Sequence, residues 1–145
     1  MADLFAGKAL YRNGADENKV DAAELKGKIV AIYFSAHWCP PCRGFTPVLK
    51  EFYDKLAGTG EFEIVFASGD QSDEELKEYL KESHGAWLYL PYEDPLVEEL
   101  SGKYEVEGIP TLVVVKADGS VITKEGRKDV VKKSPSEALA AWKSA

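Results

Sequence analysis

Trp38-Cys39-Pro40-Pro41-Cys42, preceded by Ile29-Val30-Ala31-Ile32-Tyr33-Phe34 and followed by a helical pattern from Arg43 to Leu56, decides how this chain folds. The unbroken apolar run, rich in β-branched and aromatic side chains, predicts a strand buried on both faces. Through Ser35-Ala36-His37 it leads directly to the cysteines. Cys39 therefore falls where the carboxyl end of a strand feeds a helix, the edge at which open α/β sheets place their active sites. Downstream, Phe45, Val48, Leu49, Phe52, Tyr53 and Leu56 recur at the spacing of a helix lying on a sheet. Pro47 interrupts that stripe and is expected to kink the helix, because it removes one backbone hydrogen bond.

Cys39 and Cys42 are the only cysteines in the chain. Side chains at i and i+3 are neighbours on a helix surface, so the sulfurs can meet without large backbone movement. Three uses compete. A structural staple closing a loop of about four residues removes only about 2 kcal/mol of unfolded-chain entropy. A structural zinc site takes four ligands, and beyond the cysteines the chain offers His37 beside them and His84 far along the sequence. A reversible dithiol/disulfide pair is the reading that C-x-x-C beside a β-α-β pattern favours.

The remaining pattern alternates strands and helices. Phe62 to Ala67 reads as a second buried strand, and Ser72-Asp73-Glu74-Glu75 as a capping box opening a helix that carries Leu76, Tyr79 and Leu80. Leu88-Tyr89-Leu90 reads as a short strand. Asp94-Pro95 has the form of an N-cap followed by proline at the first helical position, with Leu96, Leu100 and Tyr104 at spacing four. Leu112 to Val115, Asp118-Gly119 and Val121-Ile122 read as a hairpin with a two-residue type I′ turn. Ser134-Pro135-Ser136-Glu137 caps a last helix ending near Trp142. At 145 residues this is an α/β chain of single-domain size, spanning 1–145.

Met1 to Phe5 lacks a basic region followed by an apolar run, and no stretch approaches the roughly 20 apolar residues of a membrane span. Two cysteines at catalytic spacing, with none left for a secreted framework, agree with a reducing compartment. The expectation is a soluble cytoplasmic protein, with the nucleus open as a second compartment. A net charge of −7 argues against a nucleic-acid surface, and no membrane partner is expected.

The stretch from Tyr33 to Pro47, with Trp38-Cys39-Pro40-Pro41-Cys42 at its centre, resembles the active-site signature of the tryparedoxin and nucleoredoxin group of the thioredoxin superfamily. Ile109-Pro110-Thr111 resembles that superfamily's second signature. The resemblance implies a thioredoxin fold, a central mixed β-sheet flanked by helices, here with an N-terminal extension. It also implies a cis Pro110 whose loop faces the cysteines, leaving the Ile109 backbone to pair with an extended substrate segment. By resemblance, and by expected exposure at the helix start, Cys39 is the attacking cysteine and Cys42 the resolving one. After the second strand, tryparedoxins typically carry Trp-Asp-Glu where this chain has Gly69-Asp70-Gln71. That departure tilts the resemblance toward the nucleoredoxin-like members and away from trypanothione recognition.

The supporting residues carry alternatives. Trp38 is a core residue or an exposed platform beside the sulfurs, with the platform favoured. Pro40 and Pro41 fit the first helical turn, where absent N–H donors cost least, and stiffen the loop. Tyr33 stands where many thioredoxins have a buried acid, so it packs or hydrogen-bonds near the sulfurs. Arg43 steers acidic substrates or faces solvent. His37 reads as a solvated loop residue rather than a general base, and Lys132-Lys133 as a solvated face.

The helix amino end is expected to favour a Cys39 thiolate. A free thiol of pKa about 8.5 is only about 3% ionised at pH 7. A pKa of about 7 would raise the thiolate roughly 16-fold and lower its nucleophilicity about 5-fold, a net gain of about threefold. Most of the advantage must then come from Cys42 acting at high effective concentration. The function expected is a thiol-disulfide oxidoreductase reducing protein disulfides through a mixed disulfide, with no bound cofactor. An external dithiol or NADPH-dependent reductase supplies its electrons. The alternative is a redox-gated binding module acting on a signalling or transcription partner.

Overall fold

The computed structural model describes residues 10–13, 19–20, 25, 28–69, 72–85, 87–90, 92, 95–116 and 120–144. The elements are β1 (Leu10–Arg12), β2 (Lys19–Val20), β3 (Ile29–Ser35), α1 (Pro40–Leu56), β4 (Phe62–Ser68), α2 (Asp73–Ser83), β5 (Leu88–Tyr89), α3 (Pro95–Lys103), β6 (Thr111–Val115), β7 (Val121–Thr123), α4 (Gly126–Lys132) and α5 (Pro135–Ser144). The strands form one mixed sheet in the order β2-β1-β5-β4-β3-β6-β7. β3 pairs parallel with β4 and antiparallel with β6, and β1 joins antiparallel to β5. The N-terminal extension thus contributes two strands that the sequence pattern did not announce.

Alternation along β3 sorts the core into two layers. Ala31 and Tyr33 point into a cluster with Phe45, Leu49 and Phe52 of α1, Tyr79 of α2 and Trp142 of α5. Val30, Ile32 and Phe34 point the other way, against Leu96 and Leu100 of α3. A strand covered on both faces explains why its residues read as an apolar run rather than an alternating one.

α1 runs uninterrupted through Pro47, starting at Pro40 rather than Arg43. A proline inside a helix costs about 3 kcal/mol or more. Burial of Phe45, Leu49, Phe52, Tyr53 and Leu56 offsets this, at roughly 1.5–3 kcal/mol for each large apolar side chain. The capping expectation holds at α2, where the Glu75 amide donates to Ser72 Oγ at 3.1 Å. At α5 the Glu137 amide donates to Ser134 Oγ at 3.3 Å, and Ser134 Oγ donates to the Glu137 carboxylate at 2.9 Å. Asp94 and the Asp118-Gly119 turn lie outside the described residues. The hairpin register differs from expectation: Val115 pairs with Val121, and the Lys116 amide donates to the Ser120 carbonyl at 2.9 Å. The register shifts by one residue between Val114, which pairs with Thr123, and Val115.

α4 was not legible in the sequence, and a glycine opens it. A Cβ on Gly126 would lie 2.8 Å from the Leu112 carbonyl oxygen, so the helix rests directly on β6. Because backbone cannot yield as a side chain can, Gly126→Ala is expected to destabilise by about 1–3 kcal/mol, the usual cost of overpacking. Urea unfolding checks this, and an unchanged midpoint contradicts the close approach.

Candidate functional site

β3 ends at Ser35, and the chain turns through Ala36, His37 and Trp38 into α1. The turn closes with the Cys39 amide donating to the Ala36 carbonyl at 3.2 Å, and the Arg43 amide donates to the Cys39 carbonyl at 3.1 Å. Cys39 therefore occupies the cap position, with Pro40 and Pro41 in the first turn. Neither proline has an N–H, so the first helical donor beyond Cys39 is the amide of Cys42. This thins the set of donors that a helix terminus ordinarily aims at an anion.

Both cysteines are free thiols, and they pack with Ala36 and Ile109 in a cluster of their own. Cys42 is fully buried and Cys39 is 5% exposed. The expected order of exposure holds, but Cys39 is not an exposed residue, because Ala36 and Ile109 pack against it. The Ile109–Pro110 bond is cis, as the resemblance implied, and Cys39 Sγ lies 4.0 Å from the Ile109 carbonyl oxygen. Pro110 is buried, and its carbonyl accepts from Arg127 Nη1 at 3.0 Å. The guanidinium lies 5.5 Å from the centre of the Phe45 ring.

Trp38 is half exposed, and its Nε1–H donates to the Gly69 carbonyl at 2.9 Å. The Gly69 amide in turn donates to the Ser35 carbonyl at 2.8 Å. The indole is therefore a tethered, outward-facing plate rather than a core residue. Gly69 belongs to the segment that departs from the tryparedoxin pattern; Asp70 and Gln71 lie outside the described residues. Arg43 is exposed. His37 is not simply solvated: its Nε2 lies 2.7 Å from Glu82 Oε2, pinning the loop to α2.

Beneath Cys42 lies a buried floor of hydroxyls. Tyr33 Oη is 2.7 Å from Thr46 Oγ1, Tyr79 Oη is 2.5 Å from the same oxygen, and Ser35 Oγ is 2.6 Å from Tyr79 Oη. Thr46 Oγ1 also donates to the Cys42 carbonyl at 2.8 Å, one turn back along α1. With that proton committed, both tyrosines donate to Thr46. Ser35 alone keeps a proton that can turn either to Tyr79 or to the sulfur above. Burial, and next the hydrogen bond with Cys39, push the Cys42 thiol up to about 11, while hydrogen bonds from Ser35 and the Ala36 backbone pull it down. Burial holds the Tyr33 phenol protonated, far above its ordinary range, so Tyr33 both packs and hydrogen-bonds. Behind the floor, the buried His84 accepts from Trp87 Nε1 at 3.0 Å through Nδ1, and burial pushes its pKa down to about 3. It is a neutral packing group set 4.2 Å from the Tyr79 ring.

Sequence reasoning missed Ser35, Thr46, Tyr79 and Arg127. Thr46 had a signal, four residues after Cys42 on the same helix face. Tyr79 and Arg127 had none, because only the tertiary fold brings α2 and α4 to this edge. Among the described residues, no group of three His, Cys, Asp or Glu side chains converges as a metal cage, and no helix is long and apolar enough to cross a membrane.

A model of thioredoxin-like proteins matches residues 27–121, so the chain belongs to the thioredoxin-like family and has the thioredoxin fold. Members of this superfamily are generally disulfide oxidoreductases. The chain is 44% identical to mouse nucleoredoxin over 131 residues, covering 89% of this chain and 29% of that protein. It thus spans about a third of the curated nucleoredoxins it matches. A solved thioredoxin from Wuchereria bancrofti superposes with a TM-score of 0.83 at 49% identity, covering 97% of this chain and 96% of that one. Tryparedoxin II from C. fasciculata gives 0.80 at 41% identity, covering 90% of each chain.

A hydrogen bond to a charged group is worth about 1.5–3 kcal/mol, or roughly one to two pH units. Ser35→Ala is therefore expected to move the Cys42 titration upward by about that much, followed by the 13Cβ shift of labelled Cys42. An unmoved midpoint in a folded variant would show that Ser35 does not reach the sulfur.

Proposed function

We propose that residues 1–145 work as one thioredoxin-like unit, a thiol-disulfide oxidoreductase that reduces protein disulfides through Cys39 and Cys42. The observation that carries this reading is the pair of buried free thiols packed together just beyond the end of β3, with Cys39 Sγ 4.0 Å from the Ile109 carbonyl oxygen of the cis-proline loop. A substrate strand laid along Ile109 would bring its sulfur to Cys39.

The Cys39 thiolate attacks one substrate sulfur; a Cys39–substrate bond forms, and the substrate's own disulfide breaks, releasing the second sulfur as a thiolate. Cys42 then gives up its proton and attacks Cys39 Sγ. The Cys39–Cys42 disulfide forms, and the first substrate sulfur leaves. Two electrons pass to the substrate, whose two thiolates take up protons. An external dithiol or an NADPH-dependent reductase returns the pair to the dithiol form. One tryparedoxin neighbour is solved in complex with glutathionylspermidine, which supports a low-molecular-weight thiol as one class of donor.

Cys39, the less buried sulfur, takes the first attack in this account, and Cys42, sealed beneath it, resolves. Cys42→Ser is expected to accumulate a substrate adduct on Cys39, located by mass spectrometry, whereas Cys39→Ser accumulates none. An adduct on Cys42 in the Cys39→Ser protein would reverse the assignment.

A further inference from the structure

α4 and the loop before it carry a feature at odds with the acidic character of the chain. Beside Pro110 a groove of about 420 Å³ is floored by Phe45 and Pro110 and walled by Lys124, Arg127, Lys128 and Lys132. Against these four cations stands one lining carboxylate, Glu125, already 3.9 Å from Lys128 Nζ. All four cations are exposed, and Lys128 and Lys132 lie one turn apart on the same face of α4. Arg127 is occupied with the Pro110 carbonyl and the Phe45 ring, so it builds the wall. Among the described residues, Lys124 and Lys132 have no ion-pair partner. Val131, 66% exposed, adds an apolar contact at the rim. In a chain of net charge −7, four of the 18 lysines and arginines thus line one groove beside Pro110.

Toward Glu105 and Glu107 the excess of cations disappears. A second cavity of about 420 Å³ is lined by Glu105 and Glu107 beside Ile109 and Pro110, and it shares Lys124 and Arg127 with the first groove. The excess of cations therefore lies on the α4 side, at Lys128 and Lys132.

We propose that the α4 groove seats an acidic stretch flanking the reactive cysteine of the protein substrate. This deepens the oxidoreductase reading and rests on it for the identity of the reaction. A peptide fits better than a nucleic acid: the floor is apolar and the whole chain negative, which repels a polyanion. A short acidic segment escapes that repulsion, because at physiological salt fields decay over about 8 Å and the nearest lysines dominate. Each exposed pair is weak, so selectivity comes from two or three acting together and falls with salt.

The test uses the full chain and three fluorescein-labelled peptides of equal length, whose residues beside one cysteine are three aspartates, three serines or three lysines. Fluorescence anisotropy on versions with the cysteine replaced by serine reads binding alone; the disulfide-linked versions read turnover. The aspartate peptide is expected to lead the serine peptide by roughly tenfold in affinity and in kcat/KM at low salt, narrowing severalfold in 0.5 M NaCl. Lys124→Glu, Lys128→Glu and Lys132→Glu together are expected to invert the order; Lys132→Glu alone, exposed and far from the core, narrows it. Equal binding of the three peptides would overturn the groove even if all are reduced. Acidic preference in binding without turnover would support the groove and sink the oxidoreductase reading.

Discussion

The burial of β3 on both faces and both edges fixes the rest of the structure. β4 and β6 saturate its backbone, and two apolar layers cover its faces, so neither its register nor its end point can drift. A one-residue slip would exchange Tyr33 and Phe34 between layers and set a phenol against apolar α3 side chains. Held this way, β3 delivers Ser35 beneath Cys42 and starts the turn that carries Trp38 and Cys39 to the sheet edge. The same sheet places β6 alongside, so that the Ile109–Pro110 loop, entering β6, meets Cys39 without any contact local in sequence. The Arg127–Pro110 bond then ties α4 to that loop.

The chemistry of the site is governed by what replaces a charged group. Many thioredoxins place a carboxyl at the position of Tyr33, whereas this chain places a phenol that burial keeps protonated. A carboxylate beneath Cys42 would demand its own partner in an apolar layer; hydroxyls are satisfied by one another and by the Cys42 carbonyl. Burial favours the neutral Cys42 thiol, and the Ser35 hydroxyl pulls the other way. The double proline leaves the helix terminus with two fewer amide donors. Proximity of the two sulfurs is what the proposed reaction draws on.

Much of this was legible in the chain because its signals are local. The apolar run of β3, the i and i+3 cysteines, the Ser72 and Ser134 caps and the proline of the second signature each announce themselves within a few residues. The hydroxyl floor does not, since Ser35, Thr46 and Tyr79 come from a strand and two helices. α4 hides behind an opening glycine and a short sequence with one buried valine, at whose end Lys132-Lys133 read as a solvated face. β1 is three residues long and gains its identity only by pairing with β5. Burial of Cys39 was equally invisible, because Ile109 packs against it from 70 residues away.

The central claim is that Cys39 and Cys42 turn over protein disulfides. Its most direct measurement is the rate of insulin reduction by the purified chain with dithiothreitol as electron source, beside a Cys39→Ser control. Many disulfides reduced per molecule, with the acceleration lost in the control, is the result the account predicts. A rate no faster than dithiothreitol alone, from a protein whose Cys39–Cys42 disulfide still forms and reduces reversibly, would contradict it and leave a redox-gated binding module in its place.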